Sequence, residues 1–116
     1  MKFISLKSHA KINLSLRVLK KLKNIHQIET LICFINLFDE ILIKQTDHKK
    51  HKVIFNGKFS KKIIRKNTVT KLLEILDNNN LLKNKKYLIK IKKNIPQKSG
   101  LGGGSINAST IFSYLV

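Results

Sequence analysis

The sequence predicts an α+β domain in which helices pack on a mostly antiparallel sheet. Three observations support this class: several segments alternate between apolar and polar residues, two stretches repeat apolar residues at helical spacing, and 42% of the 116 residues are hydrophobic. The predicted strands cover residues 3–9, 12–20, 28–36, 40–46, 52–56 and 86–93, and the predicted helices cover residues 67–78 and 105–116. The length is consistent with a single domain.

The last predicted strand and the first predicted helix have the clearest patterns. The strand at 86–93 alternates three apolar or aromatic residues with one leucine and two lysines, which indicates one buried face, and Pro96 stops it. The helix at 67–78 carries an apolar stripe, and either Asn67 or Thr68 can cap it. The stripe consists of Val69, Leu72, Leu73 and Leu76. At the end of the predicted strand 52–56, the pair Asn56-Gly57 predicts a hairpin turn.

Four of the five glycines lie in one loop, residues 96–105, between the strand at 86–93 and the helix at 105–116. Glycines permit positive φ and let a ligand approach backbone N–H groups, while the following helix offers unpaired N–H donors and the positive end of its dipole. Ser105 is placed to cap this helix. The predicted buried face of the helix consists of Ala108, Ile111, Phe112 and Leu115. The segment therefore predicts a phosphate-binding loop.

Two common phosphate loops do not fit this segment. A Walker A loop ends in Gly-Lys-Ser/Thr, whereas this loop ends in Gly104-Ser105-Ile106. A Rossmann fingerprint needs glycines at the first, third and sixth places. The sixth place is Ser105 when Gly100 is taken as the first, and Asn107 when Gly102 is taken as the first. The remaining alternative is a flexible glycine-rich linker, which the well-patterned strand and helix on either side disfavour.

The loop resembles the ATP-binding loop of the GHMP kinases, through Pro-x-x-x-Gly-Leu-Gly-Gly-Gly-Ser. Three further segments resemble that family in the same order: Ala10-Lys11-Ile12-Asn13-Leu14, His26-Gln27-Ile28-Glu29-Thr30-Leu31 and Asn67-Thr68-Val69. The four segments are spread along the chain from residue 10 to residue 105. The resemblance implies that ATP is bound by Pro96, Gln97, Lys98, Ser99, Gly100, Leu101, Gly102, Gly103, Gly104, Ser105 and Ile106.

By this resemblance the fold is a GHMP kinase N-terminal domain, similar to domain 2 of ribosomal protein S5. The segments are most similar to the branch of the family that phosphorylates a hydroxyl of a cytidine-diphosphate-linked methylerythritol in non-mevalonate isoprenoid synthesis. The resemblance therefore implies ATP as co-substrate, Mg²⁺ as its accompanying ion, and a small-molecule substrate. Direct transfer without a covalent enzyme intermediate is expected. No metal ligand is assigned.

Three residues receive roles from the resemblance. Lys11 matches the catalytic lysine, whose ammonium would stabilise negative charge on the transferring phosphoryl group. Asn13 and His26 match substrate-binding positions, for the polyol and for the cytosine respectively. Without the motifs, Lys11 would be interpreted as a solvated lysine, Asn13 as an edge or turn asparagine, and His26 as a surface histidine.

The sequence departs from the family pattern at several points. Ile25 stands where a cytosine-stacking tyrosine is usual, and Ile106 stands where a second loop serine is usual. The family's general base is an aspartate downstream of the helix at 105–116. We therefore expect residues 1–116 to be an incomplete N-terminal domain without the C-terminal GHMP domain. The alternative is an inactive remnant that still binds nucleotide.

The other polar residues near these motifs are predicted to be ordinary. Asp39 and Glu40 are interpreted as a turn or a surface acidic pair, and neither is assigned the role of the general base. Lys93 is either a neighbour of the nucleotide or a solvated strand lysine. No special role is predicted for Asn107.

The formal net charge is +18, and lysine supplies 22 of the 24 basic residues. Such a charge raises the alternative of a nucleic-acid-binding module that is held by phosphate contacts. The lysines are scattered, however, and no recognition motif orders them, so we expect no specific nucleic-acid partner. The sequence does not set the oligomeric state.

The histidines, the cysteine and the N-terminus complete the sequence expectations. His48 and His51 lie among lysines, which predicts a solvated loop and opposes a metal site. Cys33 lies between two apolar residues, which predicts a buried thiol in a reducing compartment, without a disulfide. No signal peptide and no apolar run of about 20 residues is present, so we expect a cytoplasmic protein without a membrane partner.

Overall fold

The computed structural model describes residues 2–22, 25–96 and 103–116, without the side chains of residues 13–31. Its elements follow in the order β1 (Ile4–Leu22), β2 (Ile25–Thr46), β3 (Lys52–Asn56), α1 (Thr68–Asn78), β4 (Lys86–Lys92) and α2 (Gly103–Leu115). The strands form one sheet in the spatial order β1-β2-β4-β3. Only the β3–β4 pair is parallel, so the predicted α+β class with a mostly antiparallel sheet is confirmed.

Strands β1 and β2 form one long antiparallel hairpin, which replaces four separately predicted strands. The pairing shifts register at three places, one of them between His9 and Lys11. The predicted breaks at residues 10–11 and 37–39 were wrong, because an interruption of the apolar alternation there marks a β-bulge. A bulge bends a strand and shifts its pairing without ending it. The predicted break at residues 21–27 contains the end of β1 and the start of β2.

Strand β3 lies beside β4 and runs parallel to it, so the predicted hairpin at Asn56-Gly57 was wrong. A turn is nevertheless present: Gly57 has a φ of 94°, and its carbonyl accepts the N–H of Ser60 at 3.4 Å. A Cβ at residue 57 would also lie 2.8 Å from the carbonyl oxygen of Lys93. Both the positive φ and this close approach require glycine.

The hydrophobic core lies between the inner face of the sheet and the two helices. Ile41 pairs with Ile91 and Ile43 pairs with Ile89, and all four side chains are fully buried. The other core members are Val69, Leu73, Leu76, Leu82 and Ile111. The predicted stripe of α1 is therefore confirmed, with Leu72 partly buried at its margin. Burying each of these large aliphatic side chains contributes about 1.5–3 kcal/mol.

Helix α1 begins with a capping box. Oδ1 of Asn67 accepts the N–H groups of Val69 and Thr70 at 3.0 and 3.1 Å. The hydroxyl oxygen of Thr70 accepts the N–H of Asn67 at 2.9 Å. These bonds satisfy N–H groups that have no partner within the helix. Of the two predicted caps, Asn67 is therefore the N-cap.

Helix α2 begins at Gly103, so the prediction of Ser105 as its N-cap was wrong and Ser105 lies in the first turn. Its buried residues are Asn107 and Ile111, which are one turn apart and define the inward face. Phe112 lies at the edge of that face and is 43% exposed. The predicted apolar stripe is therefore only partly buried, because a polar residue occupies part of the inward face.

His51 was predicted to be solvated, but its ring contacts two other elements. Nε2 lies 3.0 Å from Oδ2 of Asp77, and Nδ1 accepts the N–H of Tyr87 at 3.0 Å. The ring also stacks on that of Tyr87, with centroids 6.0 Å apart. Nζ of Lys86 lies 3.2 Å from the same carboxylate oxygen of Asp77. The segment before β3 is thus attached to the end of α1 and the start of β4.

Cys33 was predicted to be buried, but its thiol is exposed. Cys33 lies opposite Ile12 in the register of β1 and β2, and the neighbouring Ile32 and Phe34 are also exposed. The prediction was wrong because apolar sequence neighbours do not show whether another element covers a strand. In the described ranges, no helix combines the length and the apolar character needed to cross a membrane.

Asn67→Ala should lower the free energy of unfolding by about 1 kcal/mol, because the first turn of α1 loses its side-chain acceptor. Urea unfolding followed by circular dichroism would measure the change. The control is Asn78→Ala, at an exposed position in the last turn of the same helix, which should change stability by less than about 0.5 kcal/mol. Equal losses in the two variants would contradict the assignment of the cap.

The stability should fall in acid partly through Asp77. Burial by itself raises the pKa of Asp77, but hydrogen bonds and charges from His51 and Lys86 outweigh it and leave the pKa below its ordinary value of 3.8. The lowered pKa stabilises the fold at neutral pH, and this contribution disappears as the pH falls from 3.8 through the folded-state pKa. Asp77→Asn should therefore lower stability at neutral pH and flatten its decline between about pH 4 and pH 2.

Urea midpoints across that pH range would measure the effect of Asp77→Asn. Asp47→Asn, at an exposed aspartate, is the control and should keep the acid dependence of the parent chain. An unchanged acid limb in Asp77→Asn would show that the His51–Asp77 contact does not stabilise the fold.

Candidate functional site

An ion pair between Asp39 and Lys93 is buried beside the start of α2. Nζ of Lys93 lies 2.5 Å from Oδ2 of Asp39, and the two side chains are 5% and 0% exposed. Asn107 accepts from Lys93 Nζ at 2.7 Å and donates to Oδ2 of Asp39 at 3.0 Å. It also donates to the hydroxyl of Ser8 at 2.8 Å. These four residues, the Asp39 network, join β1, β2, the chain after β4, and α2.

The carboxylate of Asp39 also binds the backbone just before the glycine loop. Its Oδ1 accepts the N–H groups of Asn94 and Ile95 at 2.6 and 2.9 Å. The side-chain amide of Asn94 donates to the carbonyl of Phe38 at 3.0 Å. Pro96 follows directly, so the chain is attached to β2 immediately before the loop.

The interpretation of Asp39 as a turn or surface residue was wrong, and Asn107, for which no special role was predicted, is a buried member of the network. Of the two alternatives for Lys93, the solvated lysine was wrong, and its place beside the nucleotide stays a prediction. Glu40 is exposed, as predicted, and its carboxylate lies 3.7 Å from Nζ of Lys92. The two neighbouring acids therefore differ completely in environment, because successive residues of a strand point to opposite faces of the sheet.

A sequence signal for the buried ion pair was present. Asp39 is in phase with Ile41 and Ile43 along β2, and Lys93 continues the phase of the two isoleucines of β4. Charged residues in phase with a buried face are costly unless they are paired. One acid and one base at such positions on two apolar strands therefore indicate an internal ion pair.

A cleft of about 510 Å³ lies where the N-termini of the two helices meet. The hydroxyl of Thr68 donates to the carbonyl of Gly104 at 3.1 Å, so the first turns of α1 and α2 are in contact. Among the described residues, three exposed lysines line the cleft, namely Lys62, Lys66 and Lys71. Positive charge next to a helix N-terminus favours an anionic ligand.

Gly103 lets the start of α2 approach the Asp39 network. A Cβ at this residue would lie 3.2 Å from Cγ2 of Ile95 and 3.5 Å from Nζ of Lys93. The first distance is tighter than an ordinary carbon contact, so a side chain here would move α2 away from the chain that precedes the loop. The glycine of the motif thus has a packing role.

A second groove, the Lys11 groove, lies between the hairpin and α2 and has a volume of about 950 Å³. Lys11 lines it from β1, directly after a β-bulge. At this bulge Nδ1 of His9 lies 3.1 Å from the carbonyl oxygen of Ile35. Ser105 and Ile106 line it from α2. Ser105 also lines the cleft, so the cleft and the Lys11 groove meet at the first turn of α2.

The structure brings together part of the predicted ATP-binding segment. Pro96 and residues 103–105 line the cleft, whereas Ile106 lines the Lys11 groove. Residues 97–102 lie outside the described residues. The ATP-binding role of the segment stays a prediction.

Asn13 and His26 lie in the paired part of the long hairpin. Asn13 pairs with Ile32, and His26 pairs with Lys21. Their side chains lie outside the description, so their predicted substrate contacts stay predictions. The pairing does support the extended conformation that the prediction for Asn13 assumed.

Residues 67–115 match the family described as GHMP kinases N terminal domain. The chain is 51% identical, over all 116 residues, to the 4-diphosphocytidyl-2-C-methyl-D-erythritol kinase of Pelagibacter ubique. Residues 67–115 thus match the N-terminal domain of the GHMP kinases. The protein of the same name from Clostridioides difficile is 40% identical over 112 residues, or 96% of this chain. The chain spans 41% and 37% of the lengths of these two relatives.

Solved structures have the same fold as this chain. A 4-(cytidine 5'-diphospho)-2C-methyl-D-erythritol kinase has a TM-score of 0.71 at 24% identity, over 97% of this chain and 39% of that one. A homoserine kinase from Cytophaga hutchinsonii has a TM-score of 0.65 at 18% identity, over 99% of this chain and 36% of that one. These likenesses concern the fold alone, and they confirm the predicted GHMP kinase N-terminal fold.

Two ion pairs at neighbouring positions should differ in their effect on stability. Lys93→Met leaves the buried carboxylate of Asp39 without its counter-charge and should lower the free energy of unfolding by about 3–5 kcal/mol. Lys92→Met removes only the exposed pair with Glu40 and should change it by less than about 1 kcal/mol. Urea unfolding of both variants at one pH measures the difference. Losses of similar size would mean that burial of the Asp39 pair does not govern stability.

Proposed function

We propose that the chain is the N-terminal part of an ATP-dependent kinase that phosphorylates a hydroxyl of 4-diphosphocytidyl-2-C-methyl-D-erythritol, a step of non-mevalonate isoprenoid synthesis. The observation that carries the proposal is the meeting of the cleft and the Lys11 groove at Ser105. Phosphoryl transfer requires a donor and an acceptor that are held close together and in line. The name of the relatives that match nearly the whole chain supports this choice of substrate.

In this proposal the cleft binds ATP, and residues 96–106 hold its phosphates. The N–H groups at the start of α2 donate to phosphate oxygens, and the exposed lysines of the cleft balance their charge. Among the described side chains, no three acidic, histidine or cysteine groups form a metal site. The phosphates of ATP would supply the oxygen ligands that Mg²⁺ prefers, and the ion would neutralise part of their charge there.

The acceptor binds in the Lys11 groove. The ammonium of Lys11 stabilises the charge that develops on the transferring phosphoryl group, as the family motif implies. Asn13 binds the polyol and His26 binds the cytosine. Asp39 is unsuited to act as general base because it is fully buried and already bound by four donors. We propose that the base is an aspartate from polypeptide downstream of residue 116.

The test is magnesium-dependent consumption of ATP in the presence of the diphosphocytidyl-methylerythritol substrate. It compares this chain with a longer polypeptide that includes the downstream aspartate. Turnover is expected in the longer form. Lys11→Ala in that form should lower kcat by about 100-fold or more and leave the KM for ATP nearly unchanged, because the ammonium acts on transition-state charge.

Lys90→Ala is the matched control. Lys90 lies on β4, with its ammonium over the ring of Phe3, and lines neither the cleft nor the Lys11 groove. This variant should keep the parent activity. Absence of substrate-dependent turnover in both forms would reject the kinase. Nucleotide binding that disappears with salt and is matched by other polyanions would instead favour the basic-module alternative. The cytoplasmic location stays a prediction.

A further inference from the structure

The Asp39 carboxylate contacts the chain on both sides of residues 97–102. On the N-terminal side, its Oδ1 accepts the two successive N–H groups of Asn94 and Ile95, at 2.6 and 2.9 Å. On the C-terminal side, its Oδ2 accepts Nδ2 of Asn107 at 3.0 Å. One side chain on β2 therefore contacts the chain both before and after residues 96–105, the segment predicted to bind ATP and called the nucleotide loop below.

We propose that Asp39 is a positioning residue for the nucleotide loop of this kinase domain. The proposal rests on the proposed function, since ATP is the ligand that the loop would bind. Asp39 does not touch the ligand in this proposal, because its side chain is fully buried. It acts through the backbone of residues 94–95 and through Asn107.

The composition of the loop explains why such an anchor would matter. Residues 96–105 include four of the five glycines, and glycine loses more conformational freedom on ordering than any other residue. A ligand that must order a loop binds more weakly, since the ordering cost is subtracted from the binding free energy. Holding the ends of a glycine-rich segment close together lowers the entropic cost of any single conformation of that segment. Gly57 and Gly103 help to hold these ends in place, because each lets its own segment pack closely against Lys93.

Lys93 and Asn107 make this use of a buried carboxylate possible. The ammonium of Lys93 compensates the charge of Asp39 within the fold, so the pair as a whole carries no net charge. The positive charge that faces an anionic ligand is left to the exposed lysines of the cleft. The hydroxyl of Ser8 accepts the second hydrogen bond of Asn107 and holds its amide in the orientation that Asp39 requires.

The test separates positioning from stability with two controls on the same strand. Asp39→Ala removes the acceptor at both ends of the loop. Ile43→Ala removes a fully buried side chain from the same face of β2 and lowers stability without touching the loop. Glu40→Ala removes the neighbouring exposed carboxylate. The measurements are the Kd of MgATP, corrected for the folded fraction from urea unfolding, and hydrogen exchange of individual amides.

Asp39→Ala should raise the corrected Kd of MgATP by about tenfold or more, whereas Ile43→Ala and Glu40→Ala should change it by less than about twofold. The amides of Asn94 and Ile95 should exchange about tenfold faster in Asp39→Ala than in Ile43→Ala, because only the first variant removes their acceptor. A corrected Kd that is unchanged in Asp39→Ala, or equally raised in Ile43→Ala, would overturn the proposal.

Asp39→Asn replaces the alanine variant if the latter does not fold. Its amide oxygen can still accept from residues 94 and 95, but its NH₂ group faces the donors of Lys93 and Asn107 and so releases the C-terminal side. The corrected Kd should then rise by about threefold or more, and an unchanged value would overturn the proposal. If neither this chain nor the longer polypeptide binds MgATP, the proposed function fails, while the exchange of the Asn94 and Ile95 amides still decides whether Asp39 holds the loop.

Discussion

The buried carboxylate of Asp39 needs hydrogen-bond and charge partners within the fold, because an unpaired charge in the protein interior costs too much free energy. Its partners come from the chain after β4 and from α2, and they include two backbone N–H groups, an ammonium and an amide. Satisfying this one group therefore fixes how three separate parts of the chain meet. The apolar core supplies most of the stabilisation, but it does not by itself specify the orientation of α2.

The same constraint accounts for the arrangement of the candidate site. Asn107 turns one face of α2 inward, and this leaves Ser105, half a turn earlier, at the junction of the cleft and the Lys11 groove. Helix α1 joins the site through Thr68, which binds the first turn of α2. The cleft is thus built around two helix N-termini whose relative position depends on buried polar contacts. A site for phosphoryl transfer depends on such positioning more than on covalent chemistry.

Much of the fold and part of the site could be predicted from sequence. The order of elements around the glycine loop, the start of α1 with Asn67 as one of two candidate caps, and the inward face of β4 were predicted correctly, because local periodicity and capping chemistry determine them. Lys11 was selected by its motif, and the structure brings it into the same groove as Ser105. The continuity of the β1–β2 hairpin and the exposure of Cys33 were missed. Both depend on pairing and coverage by distant segments, which no local window contains.

The sequence by itself indicated the GHMP kinase N-terminal fold, through a short glycine-rich motif and three separated segments in the family's order. It also determined that β4 has a buried face and that a helix begins close to Asn67 and Thr68, since propensity and capping act over a few residues. Only the tertiary structure decided that Asp39, Lys93 and Asn107 form one buried group. Lys93 lies 54 residues after Asp39 along the chain, and Asn107 lies 68 residues after it. Contacts across such separations depend on strand register and helix rotation, which are set when the whole core packs.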